Sequence, residues 1–124
     1  MNLNYSQTTG QVTDDNGKSI AKGWAGNGCG RNNPTMQDVH CVGPLPQGVY
    51  KIGAWYNHPR LGPMVADLHQ ISGETFGRND FFIHGPSSEH YGQESKGCIV
   101  VPREDRQRII ALTPGPGDTV TVTA

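Results

Sequence analysis

The 124-residue chain has no surplus of charge, since ten Lys and Arg against eleven Asp and Glu leave a formal net charge of -1. Without a basic stripe to track a phosphate backbone, nucleic acid is excluded as a partner. No apolar run approaches the roughly 18 residues of a membrane span, so no membrane insertion is expected. The opening MNLNYSQTTGQ has neither the basic flank nor the apolar stretch of a secretory signal, so we expect synthesis in the cytoplasm without a signal peptide. No His-x-x-x-His or Cys-x-x-Cys spacing is present, which argues against a metal centre. No cofactor is expected either. Cysteine is scarce: Cys29 and Cys41 lie twelve positions apart in GNGCGRNNPTMQDVHC, and Cys98 stands alone downstream. A Cys29–Cys41 disulfide would contribute on the order of 3 kcal/mol by loop-closure entropy. Two unpaired thiols are an equal alternative, and in both cases Cys98 is left over.

What is there is turn chemistry and short alternating runs. LNYSQ, KSIAKGW, GVYKIGAWY, MVADLHQI, FFIH, CIVV and DTVTVTA read as strands, separated by DDNG, GNGCGRNNP, VGPLPQG, NHPRLGP, SGETFGRND and TPGPG. GPLPQG reads as a rigid turn feeding the strand after it, because two prolines fix φ. PREDRQRIIAL is the one credible helix, with Pro102 at its start, Glu104 and Asp105 early, and Thr113-Pro114 to stop it. Length and pattern predict a single, mainly all-β domain over residues 1–124, built as two packed sheets plus a short helix. Trp24, Trp55, Tyr50 and Phe76 are expected as core or rim aromatics.

The chemistry gathers around FFIHG and CIVV. Strand side chains alternate, so Phe82 and His84 share one face and Cys98 and Val100 share one face. If the two runs are neighbours, His84 and Cys98 can touch. A free thiol is only a few per cent thiolate at neutral pH, and an adjacent imidazole removes that deficit. Gly97 allows close approach of its peptide to a substrate carbonyl. An activated Cys98 would alkylate rapidly with an inflection near neutral pH, whereas a glycan- or peptide-binding β-domain would not.

The stretch FFIHGPSSEHYGQESKGCIVV resembles the signature of the L,D-transpeptidase catalytic domain, an Ile-His-Gly followed by a variable loop and a Gly-Cys before apolar residues. With GPLPQGVY, GRNDFFIHG and VPREDRQRI, it is similar above all to the compact type VI secretion L,D-transpeptidase effectors. The resemblance spans residues 23–112 and implies an L,D-transpeptidase-like β-sandwich with one short helix after the cysteine. It implies Cys98 as nucleophile, His84 as base and then acid, and the N–H groups of Gly97 and Cys98 as oxyanion hole. Gly85 would orient His84, Ser95 would fix the turn presenting Cys98, and Lys96, Tyr91 and Arg78 would bind substrate or support the site. Lys96 stands where a histidine is usual, and the loop from His84 to Ser95 is short; both point away from a large acceptor.

By the same resemblance the substrate is the peptidoglycan stem tetrapeptide, cut before its terminal D-alanine. The acyl-enzyme would pass to water (L,D-carboxypeptidase), to a free D-amino acid (exchange) or to another stem (cross-linking). Delivery by a secretion machine into the periplasm of a target bacterium, and a cognate immunity protein, are implied partners. Alternatives are a phage-type lysin, a zinc peptidase using His40, His58, His69, His84, His90 or Cys98, and a non-catalytic cell-wall-binding domain. Asp67-x-His69 could place two ligands on one strand face, which simple alternation explains equally well. A papain-like amidase is disfavoured because its cysteine precedes its histidine and opens a helix.

Overall fold

The computed structural model describes residues 1–86, 97–113 and 117–124. Ten strands and one α-helix follow in order: β1 (Asn2–Ser6), β2 (Gln11–Thr13), β3 (Ser19–Lys22), β4 (Trp24–Ala25), β5 (Gly48–Ile52), β6 (Tyr56–His58), β7 (Gly62–Gly73), β8 (Phe81–His84), β9 (Ile99–Val100), α1 (Arg103–Leu112) and β10 (Thr119–Thr123). Apart from β2 and β6, the latter falling mostly in the expected turn NHPRLGP, each overlaps one of the runs read as strands or helix. In β10 the sequence TVTVT buries Val120 and Val122 and turns its threonines outward. Each such valine contributes about 1.5–3 kcal/mol relative to exposure.

The expected pair of separate sheets is replaced by one hydrogen-bonded path, β3-β2-β1-β10-β5-β7-β8-β9-β4, with β6 branching from β7. Its two ends, β3 and β4, are separated in sequence by Gly23 alone. The Gly23 N–H donates to the Gly10 carbonyl at 2.8 Å, and its Cα lies against the Val100 carbonyl on the other side. The sheet therefore curls until its ends meet, enclosing one core that runs from Leu3 and Tyr5 through Tyr50 and Leu68 to Ile83 and Ile99. KSIAKGW, which reads as one strand, is two strands at opposite ends of the path.

The helix covers the outer edge of β3. Asp105 accepts from the Lys22 N–H at 2.9 Å and Arg108 donates to the Ile20 carbonyl at 2.7 Å. Arg106 and Ile109 face inward. Trp24 and Tyr50 are buried and Trp55 packs on the core, whereas Phe76 is an exposed rim residue. Among the described residues, no helix is long and apolar enough to cross a membrane.

Candidate active site

β8 and β9 are neighbours, paired Ile83 with Ile99 and His84 with Val100. They run parallel and so are not the arms of a hairpin. The register sets Val100 level with His84 and leaves Cys98 one pleat behind, on the same face. Both side chains line one cavity of about 440 Å³, together with His40, Cys41, Arg60 and Asp80.

His84 is 2% exposed, and its Nδ1 lies 2.9 Å from the Gly85 carbonyl oxygen. A carbonyl can only accept, so Nδ1 carries a proton, which in the neutral ring leaves the lone pair on Nε2. That is the tautomer a general base requires. The Val101 N–H donates to the His84 carbonyl at 2.9 Å and pins the strand end.

Cys98 is 8% exposed, and its S–H faces the Asp80 carbonyl at 3.6 Å. Burial pushes the thiol up to about 11; the Phe82 N–H, the Arg78 charge and the Cys98 N–H work in the opposite direction. Enclosure thus favours the protonated thiol at rest. Desolvation of the anion outweighs the donors that would hold it.

Arg78 is only 6% exposed. Its guanidinium donates to the carbonyls of Gly43 at 2.9 Å, Pro44 at 2.8 Å and Gln37, and lies 5.7 Å from the Phe81 ring centre. The Gly-Pro-Leu-Pro turn thus serves the site through its backbone, binding an arginine beside the cysteine. Gly97 has φ +124°, where only glycine is at ease, and the space a side chain would take is filled by Arg78.

Gly85 has a matching neighbour. A Cβ there would lie 2.6 Å from Cζ, Nη1 and Nη2 of Arg106 alike, so the guanidinium lies flat over this peptide. The sequence reading missed Arg106, because REDRQR looks like a solvated charge run. The signal was the stripe Arg106, Ile109 and Thr113, at helical spacing and buried throughout.

Cys29 and Cys41 are free, exposed thiols, so no disulfide joins them here, and Cys41 borders the cavity instead. Tyr91, Ser95, Lys96 and His90 lie outside the described residues. Among the described residues, no three His, Cys, Asp or Glu side chains converge on a metal position. Asp67 and His69 both point outward from β7, and Asp67 accepts from the Tyr56 hydroxyl at 2.8 Å.

The fold is that of L,D-transpeptidase catalytic domains. The chain superimposes on the NMR structure of the catalytic domain from the E. faecium L,D-transpeptidase with a TM-score of 0.51 at 17% identity, covering 98% of this chain and 95% of that one. Residues 19–113 match the Tlde1 domain, and the chain belongs to that family of type VI secretion L,D-transpeptidase effectors. No curated protein sequence matches it.

Proposed function

We propose that the protein is a cysteine-dependent L,D-carboxypeptidase and D-amino-acid exchange enzyme acting on peptidoglycan tetrapeptide stems. The observation that carries this reading is the placement of Cys98 and His84 on one face of paired strands in one cavity, with the lone pair of His84 on Nε2. Because the resting thiol is neutral, its proton moves to Nε2 as sulfur attacks the carbonyl before the terminal D-alanine. The N–H groups of Gly97 and Cys98 receive the developing oxyanion. The imidazolium then protonates the departing D-alanine amine, leaving a thioester on Cys98. Water releases a tripeptide, and a free D-amino acid gives an exchanged tetrapeptide. Arg78 supports Cys98 electrostatically and through its contact with Gly97.

Membership of an effector family supports delivery into a target cell, with the periplasm as the site of action and an immunity protein that plugs the cavity. Incubation with tetrapeptide muropeptides and mass analysis tests the reaction: tripeptide or exchanged product is expected, and neither should form with Cys98→Ala. Wild-type protein that yields no product would overturn the assignment. Killing of cells only when the chain is exported to the periplasm tests the site of action.

A further inference from the structure

Arg106 is 6% exposed, yet it is poorly satisfied for a buried cation. Nη1 donates to the carbonyls of Pro63 at 3.1 Å and Met64 at 3.4 Å, whereas buried Nε has no hydrogen-bond partner among the described residues. No carboxylate pairs with it among those residues; the one side-chain ion pair of α1 joins Arg108 to Asp105. A leucine or methionine would fill this space at lower desolvation cost. Hydrogen bonding alone therefore does not account for an arginine here.

Its contact does. The three outer guanidinium atoms are equidistant from the position of a Gly85 Cβ, so a rigid plane lies face-on against the peptide that follows His84. The carbonyl of that same glycine receives the His84 Nδ1 proton. Gly85 is held on one side by the imidazole and on the other by a plane anchored to the start of β7. If the plane is removed, the glycine, the residue least restrained by sterics, is free to rotate its carbonyl away. Nδ1 then loses its acceptor, and with it the preference for the tautomer that leaves Nε2 unprotonated.

We propose that Arg106 is a positioning residue that fixes the tautomer and orientation of His84 through Gly85. The inference rests on the reading of His84 as general base, but its geometric part can be tested without any substrate.

In wild-type protein labelled with ¹⁵N-histidine, NMR should show the His84 ring protonated at Nδ1 alone at neutral pH. In Arg106→Met the ring should become a mixture of tautomers, and kcat should fall roughly ten- to a hundredfold with KM little changed, as expected when a reacting group is misplaced. Arg106→Lys should not rescue either signal, because an ammonium offers no plane. Should Arg106→Met fail to fold, Gly85→Ala displaces the guanidinium from the other side and should give the same NMR signature. An unchanged His84 tautomer in a folded variant would overturn the proposal. A shifted tautomer in a protein whose wild type yields no muropeptide product would leave the positioning role standing and discard the proposed reaction instead.

Discussion

Two buried arginines flank the cavity, each pressed against the glycine next to Cys98 or His84, and they are held in different ways. Arg78, beside Gly97 and Cys98, donates to three backbone carbonyls of the 37–44 segment. Arg106, beside Gly85 and His84, bonds through Nη1 and leaves Nε without a partner among the described residues. The first is a tether that ties a distant loop to the cysteine. The second is a wall whose contribution lies in its shape. The same residue type thus supports the fold on one side of the cavity and the orientation of a ring on the other.

The largest expected break in that comparison is Arg78→Met. Three carbonyls lose their donor, which should cost on the order of 4 kcal/mol and lower the midpoint of thermal unfolding by roughly 15 °C. Arg106→Met should cost far less stability while still damaging turnover, and calorimetry beside muropeptide kinetics would separate the two. A similar loss of stability in both variants would erase the distinction.

Gly97→Ala comes next, because a side chain at φ +124° is strained and meets Arg78. We expect about 3 kcal/mol of destabilisation by urea titration. Gly85 needs no positive φ, so Gly85→Ala should unfold less readily and act mainly through His84.

The thiol supplies a pH signature. Native Cys98 holds its proton to about 11, against 9.0 for an ordinary cysteine. Between those values the unfolded chain releases a proton that the native state keeps, so this contribution is whole below pH 9 and is lost as pH rises towards 11. Wild type should lose about 3 kcal/mol more than Cys98→Ala across that window, measured as the difference between their denaturation curves. The smallest effect sharpens the contrast between the arginines. Iodoacetamide labelling of Cys98 through its own ionisation should climb towards pH 11. Arg78→Met should move that rise higher, since Arg78 favours the thiolate, and Arg106→Met should leave it in place.

Much of this was legible along the chain because it depends on local rules. Period-two alternation marked β10 and short apolar runs marked β8 and β9, while the alternation of side chains along a strand set His84 and Cys98 on faces that could meet. The turn chemistry of DDNG was equally readable: Asp14 accepts from the Asn16 and Lys18 N–H groups at 2.9 Å each. What was hidden depends on pairing across long separations. Three-residue β2 holds one buried valine, too little for a pattern, and the division of KSIAKGW at Gly23 exists only because the two ends of the sheet meet there. Arg106 was hidden for a different reason, since a burial that runs against composition has no compositional sign. Enclosure also pushes the Cys98 thiol up, and spacing carries no information about enclosure.

One consequence follows from the double duty of α1. By occupying the Lys22 N–H and the Ile20 carbonyl, its side chains blunt a strand rim that would otherwise be adhesive, and its Arg106 steadies the peptide after His84. Peeling the helix away by gentle heating should therefore disarm the enzyme and bare a sticky border in the same step, so that inactivation and clumping begin at one temperature.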